Sequence, residues 1–194
     1  GASNSYINVI DNTSPTVSNV RINASSNVAL NRIVKINATV TDDVAISNVT
    51  IQVDPPSSAP YNITAPQQSG SEYFNNTVIL DKTGQWTFIF MANDTSANNA
   101  TQVTAQDGAA NAYINVIDNT VPVIANARIN ESSNVALNRR VKINATVTDD
   151  VAVSNVTIQV KPPSVAAYNI TPTSSGSEYF NNTVILDKTG QWTF

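Results

Sequence analysis

The feature that most constrains this chain is its internal repeat. Tyr6 to Phe88 recurs as Tyr113 to Phe194, with 69 of 82 aligned positions identical. The offset is 107 residues before Ala65, which has no counterpart, and 106 after it. A period near 107 is too long for a solenoid unit, which must stack on its neighbours to bury a core. It is the size of a domain that folds by itself. The chain therefore reads as tandem beads on a string: residues 1–13 as the last strand of a preceding repeat plus a linker, 14–119 as a first repeat, and 120–194 as a second, cut before its final strands.

Alternating apolar and polar residues, broken by Gly, Pro, Asn and Asp clusters, predict strands throughout and no helix. In the first repeat these lie near Thr16–Asn23, Ile33–Thr41, Ala45–Val53, Tyr61–Thr64, Tyr73–Leu80, Gln85–Ala92, Thr101–Ala105 and Tyr113–Ile117. Asp54-Pro-Pro and Lys82-Thr-Gly-Gln supply turn chemistry between them. This many short strands in about 107 residues predicts an all-β, immunoglobulin-like sandwich. Parity then assigns an inner face: Val34, Ile36, Ala38 and Val40; Val49, Ile51 and Val53; Phe74, Val78 and Leu80; Trp86, Phe88, Phe90 and Ala92. On that reading Asn75 faces out and Asn76 in.

Composition narrows the function. Charged residues make up 12% of the chain and the net charge is −4. No basic run is present to hold nucleic acid or an anionic membrane. No apolar stretch reaches the ~18 residues of a membrane span. Cys and His are both absent, which removes their nucleophilic, basic and zinc chemistry along with disulfides. The chain reads as a structural element, not an enzyme.

Asparagine is the second strong signal. The chain holds 27 Asn beside 40 Ser plus Thr. Random placement gives about five or six N-x-S/T acceptor motifs, yet 13 occur. They start at Asn12, Asn23, Asn37, Asn48, Asn62, Asn75, Asn93 and Asn99, then Asn130, Asn144, Asn155, Asn169 and Asn181. All five of the second copy fall on acceptor positions of the first. Parity puts the strand acceptors on the polar face, where a glycan clears the core. N-glycosylation is therefore expected, against the plainer reading that Asn and Thr simply furnish exposed strand faces.

The residues carry a resemblance. Asp11-Asn-Thr-Ser-Pro-Thr-Val and Asp118-Asn-Thr-Val-Pro-Val resemble the opening of bacterial and archaeal Ig-like repeats, which are cadherin- or fibronectin-III-like sandwiches. Val40-Thr-Asp-Asp-Val-Ala-Ile-Ser-Asn-Val is similar to their second-to-third strand segment. Gly84-Gln-Trp-Thr-Phe-Ile-Phe-Met-Ala-Asn-Asp-Thr-Ser-Ala-Asn-Asn is similar to their sixth strand and the turn after it, with Ala97 where a Gly is usual. Dense acceptors without cysteine look most like archaeal S-layer or surface-filament proteins. The resemblance implies an extracellular, cell-surface role as a surface layer, stalk or filament. It also admits an adhesin that binds another cell through its loops, or a spacer of a surface enzyme.

Topology suggests one further site. If the first strand leaves the linker and the second returns, Asp42 and Asp43 come back beside Asp11, and Asp94 reaches the same pole. Asp118, Asp149 and Asp150 repeat the pattern. Oxygen ligands gathered at a joint suit Ca²⁺; as ordinary turn residues they need no ion. Glu72/Glu178 and Asp81/Asp187 read as solvated surface rather than a catalytic pair. Lys35/Lys142 and Lys82/Lys188 could form isopeptide crosslinks, but that chemistry needs a buried, carboxylate-assisted pair and parity places Lys35 on the outer face; Trp86/Trp192 read as core rather than a sugar platform. The expected partners are copies of the chain itself and covalent glycans. The out-of-phase ends read either as a window cut from a longer array or, less simply, as strand donation between chains.

Overall fold

Two-residue apolar alternation makes strands because successive side chains leave a strand on opposite faces, and this chain applies it throughout. In a computed structural model, residues 5–25, 27–100, 103–104 and 113–194 are described, and every regular element among them is a strand. The chain divides into two units, Gly1–Asn119 and Thr120–Phe194.

The first unit runs β1 (Thr16–Ile22), β2 (Val28–Ala29), β3 (Arg32–Thr41), β4 (Ile46–Asp54), β5 (Tyr61–Thr64), β6 (Gln67–Ser69), β7 (Glu72–Leu80), β8 (Gly84–Asp94), β9 (Val103–Thr104) and β10 (Ile114–Ile117). One sheet has the order β1-β3-β7-β6, the other β2-β10-β8-β4-β5, with β9 also on β8. The inner faces of the two sheets share one core. This unit is an immunoglobulin-like sandwich.

The core follows the expected parity in three strands. Val34, Ile36 and Ala38, then Ile51 and Val53, and then Phe88 and Phe90 are wholly enclosed. Trp86 is buried too, and its Nε1 donates to the Lys82 carbonyl at 2.9 Å. That bond meets the polar need that a buried indole carries with it.

In β7 the parity breaks. Val34 pairs with Val78, but Ile36 pairs with Asn75, so three steps of β7 oppose two of β3. This bulge flips the side-chain order upstream of it. Tyr73, not Phe74, enters the core, and burial raises its phenol pKa. Phe74 moves to the outer face, where the Lys35 ammonium sits 4.1 Å above its ring. Asn76, expected inward, is exposed, and Asn75 is half-buried.

Alternation also missed β2 and β6, which are too short to show a period. The strand expected at Thr101–Ala105 is described only at Val103–Thr104, the remainder lying outside the described residues. It pairs with Ile89 and Phe90 of β8, whereas β10 pairs with Gly84 to Trp86. Two short strands thus share one edge of β8.

The second unit runs β11 (Val123–Ile129), β12 (Arg139–Arg140), β13 (Ile143–Thr148), β14 (Ile158–Val160), β15 (Tyr168–Ile170), β16 (Thr173–Ser175), β17 (Glu178–Asn181) and β18 (Ile185–Leu186). Its first sheet, β11-β13-β17-β16, repeats the order of the first unit; the remaining strands form two separate pairs, β12-β18 and β14-β15. Its buried cluster is Val141, Ile143, Val160, Val184 and Leu186.

Backbone detail repeats as well. Asn19 and Asn126 have φ of 51° and 52° and sit at matching bulges. Gly84 has φ +118°, and a Cβ there would lie 2.9 Å from Pro56 Cβ; at Gly190 the values are +125° and 2.8 Å to Pro163. A side chain at either position meets both a forbidden φ and the double-proline turn. Gly84→Ala is expected to lower the stability of the first unit by about 2 kcal/mol or more, read as a shift of the denaturation midpoint at constant slope. Ala97 holds φ 69° without glycine, so Ala97→Gly is expected to raise stability by about 0.5–1 kcal/mol.

Candidate metal centre and glycan acceptors

Three loops meet at one pole of the first unit, each bringing a short side chain that folds back on its own turn. Asp94 ends β8 and is 1% exposed. Its Oδ1 accepts the N–H groups of Ser96 and Asn98, each at 2.8 Å, and its Oδ2 accepts the Asn98 side-chain amide at 2.7 Å. Asp42 follows β3, and its Oδ2 accepts the N–H groups of Val44 and Ala45, each at 3.1 Å. Asp11 precedes β1, and its Oδ1 accepts Thr13 N–H at 3.0 Å and the Thr13 hydroxyl at 2.8 Å. Asn98 Nδ2 also reaches the Asp11 carbonyl at 3.4 Å.

Asp11 and Asp42 each commit one oxygen to their own loops, and Asp94 commits both. The other oxygens of Asp11 and Asp42, Oδ2 and Oδ1, are buried without a hydrogen-bond partner. Asp11, Asp42 and Asp94 can each place an oxygen within 4.8 Å of the other two. Like charges at that spacing repel. A cation relieves this, and all-oxygen donors suit a hard ion such as Ca²⁺. The residues present fit such an ion: they supply carboxylate oxygens from three loops and two oxygens left over.

Burial pushes the Asp94 pKa up. Hydrogen bonds from the Asn98 side chain, Asn98 N–H and Ser96 N–H outweigh it and bring the carboxyl below its ordinary 3.8. The charged form therefore stabilises the folded unit above about pH 4, and this contribution is lost as pH falls through the lower folded value.

Asp43 does not join this group; it is exposed and accepts the Thr13 hydroxyl. The matching bond in the second unit runs from Thr120 to Asp150. There Asp149 caps Val151 and Ala152, each at 3.0 Å. Asp118 belongs to the first unit and Asp149 and Asp150 to the second. Thr13 and Asn98 were not singled out from sequence; the Asp-x-Ser-x-Asn spacing at 94–98 is the signal that could have found Asn98.

None of the 13 acceptor asparagines is in a buried core. Asn12, Asn23, Asn48, Asn62, Asn99, Asn130, Asn155 and Asn169 are exposed; Asn37, Asn75, Asn93, Asn144 and Asn181 are half-buried. Asn48 Nδ2 lies 2.9 Å from the hydroxyl of its own motif, Thr50. Asn75 differs. Its Nδ2 donates to the Thr64 carbonyl at 3.0 Å, and its Oδ1 accepts both Thr77 N–H and hydroxyl at 2.9 Å. Asn181 makes the same two bonds to Thr183.

The remaining candidates resolve into surface pairs. Glu72 pairs with Lys35 at 3.0 Å and Glu178 with Lys142 at 3.1 Å, all four half-exposed. Asp187 lies 3.8 Å from Lys188. Lys82 donates to the Ser58 hydroxyl. Asp81 raises the pKa of Tyr61, after the larger effect of burial. Trp192, unlike Trp86, is half-buried.

No family model matches the chain, and no curated protein matches it. A solved structure described as "Crystal structure of tetra-tandem repeat in extending region of large adhesion protein" is similar at 17% identity and a TM-score of 0.49, over 89% of this chain and 42% of that one. The chain thus spans about two fifths of that structure's length. No helix among the described residues is long and apolar enough to cross a membrane.

Calcium is expected to raise the melting temperature of the first unit, and EDTA to reverse the rise. Asp42→Asn keeps an oxygen for Val44 and Ala45 but removes the charge, so it is expected to abolish the calcium-dependent shift while costing little in its absence. A melting curve indifferent to calcium would leave the three aspartates as loop caps only.

Proposed function

We propose that this chain is a structural repeat segment of an extracellular, N-glycosylated surface-layer, stalk or filament protein of archaeal type. Its work is mechanical and its partners are further copies of itself. The observation that carries this reading is the repetition of acceptor asparagines in register on two near-identical units, all outside the buried cores. Glycans at such positions keep a polar, bulky coat on sheet faces and edges that otherwise invite aggregation.

Calcium belongs to the same reading. Asp11 lies on the segment that enters the first unit, while Asp42 and Asp94 lie on that unit's own loops. An ion shared among them ties the incoming segment to the sandwich and stiffens the point where a unit begins.

Mass spectrometry of the native glycoprotein tests the glycan half of the proposal. Peptides spanning Asn48, Asn62, Asn155 and Asn169 are expected to carry glycan. Asn75 and Asn181 are expected to be the least occupied. At Asn75 a glycan must displace the bond to Thr64, at about 1 kcal/mol; at Asn181 the amide oxygen is held by Thr183. Unmodified peptides at Asn37, Asn48 and Asn62 together would sink it. Electron microscopy of native cell envelopes tests the architectural half: a lattice, stalk or filament built of evenly spaced units is expected, and dispersed monomers overturn it.

A further inference from the structure

The bulge in β7 leaves an aromatic ring on the outer face of a sheet, half-buried and outside the core. Directly opposite Phe74 in the ladder stands Asn37, and opposite Phe180 in the second unit stands Asn144. Each asparagine opens an acceptor motif, Asn37-Ala-Thr and Asn144-Ala-Thr. Residues directly opposed on antiparallel strands share one face, with Cβ atoms about 4.5–5.5 Å apart. Ile143 and Val147 are buried, which marks the face of Asn144 and Phe180 as the outer one. Among the described strand pairings no other acceptor asparagine faces an aromatic; the rest stand opposite Asn, Gln or Ile.

The same two charged groups border each ring. Lys35 Nζ lies 4.1 Å from the Phe74 ring centre and 3.0 Å from Glu72 Oε1. Lys142 Nζ lies 4.7 Å from the Phe180 ring centre and 3.1 Å from Glu178 Oε1. This set is kept in both units, although the outer-face position two residues before the lysine changes from Ile33 to Arg140.

We propose that Phe74 and Phe180 are the seats of the first sugars of glycans carried by Asn37 and Asn144. The proposal rests on the reading of this chain as N-glycosylated and assigns those two glycans a place. A pyranose presents a face of C–H bonds and a rim of hydroxyls. The face packs on an aromatic ring, as other apolar groups do, and the rim needs donors and acceptors. Phe74 supplies the ring, the Lys35 ammonium a donor and the Glu72 carboxylate an acceptor. The sugar takes the place of the ammonium over the ring, and Lys35 stays within reach of Glu72. Toward β1 the neighbour of Asn37 is Arg21, which is exposed and offers no apolar surface to cover. The glycan therefore lies across β7 and shields the ring that the bulge turned outward.

NMR spectroscopy of the native glycoprotein, with occupancy read first by mass spectrometry, tests this. Protons of the first sugar at Asn37 and Asn144 are expected to shift upfield under the rings and to show nuclear Overhauser contacts to Phe74 and Phe180. The first sugar at Asn48, which stands opposite Asn93, is expected to show neither. Phe74→Leu keeps an apolar side chain but removes the ring, and should abolish the shift at Asn37 while leaving that at Asn144 unchanged. Asn37→Gln is expected to lower the melting temperature of the parent first unit but not that of Phe74→Leu, since the two changes remove one contact. A glycan at Asn37 with unshifted protons, or a shift that survives Phe74→Leu, overturns the proposal alone. Glycan at Asn48 with none at Asn37 or Asn144 also overturns it and leaves N-glycosylation standing; no glycan at any acceptor sinks both.

Discussion

The first unit depends on the burial of one aromatic strand. β8 carries Trp86, Phe88 and Phe90 on its inner face and pairs on its two sides with β4, β9 and β10. Removing a large aromatic from such a core costs about 3–5 kcal/mol, a large share of the stability of a domain this size. Gly84 starts this strand in a conformation only glycine holds easily, against Pro56. The turn, the strand and the closing edge are thus one mechanical element. In the second unit Trp192 is half-buried.

A second constraint is the pole where β1 begins and β3 and β8 end. Asp11 and Asp42 serve their own loops with one oxygen each and keep the other buried without a donor, while Asp94 binds its loop with both. The two leftover oxygens, close to Asp94, separate a candidate ion site from ordinary capping; Asp43 is not part of it. The same pole holds the segment that precedes β1, through the Asn98 amide on the Asp11 carbonyl.

Sequence alone determined the all-β class, the repeat, most strand positions and the inner face of β3, β4 and β8, because a strict two-residue period admits one burial pattern. It also determined the set of acceptor asparagines and the aspartates worth considering. Tertiary structure decided the rest. Only pairing with β3 reveals the bulge that sends Tyr73 inward and Phe74 outward, since a bulge is a mismatch between two strands and belongs to neither sequence. Only folding brings Asp11 to Asp42 and Asp94, 31 and more residues away, and leaves two oxygens without donors. And Ile114–Ile117 forms a strand only because β2 and β8 offer it edges and one core encloses Ile114 and Val116.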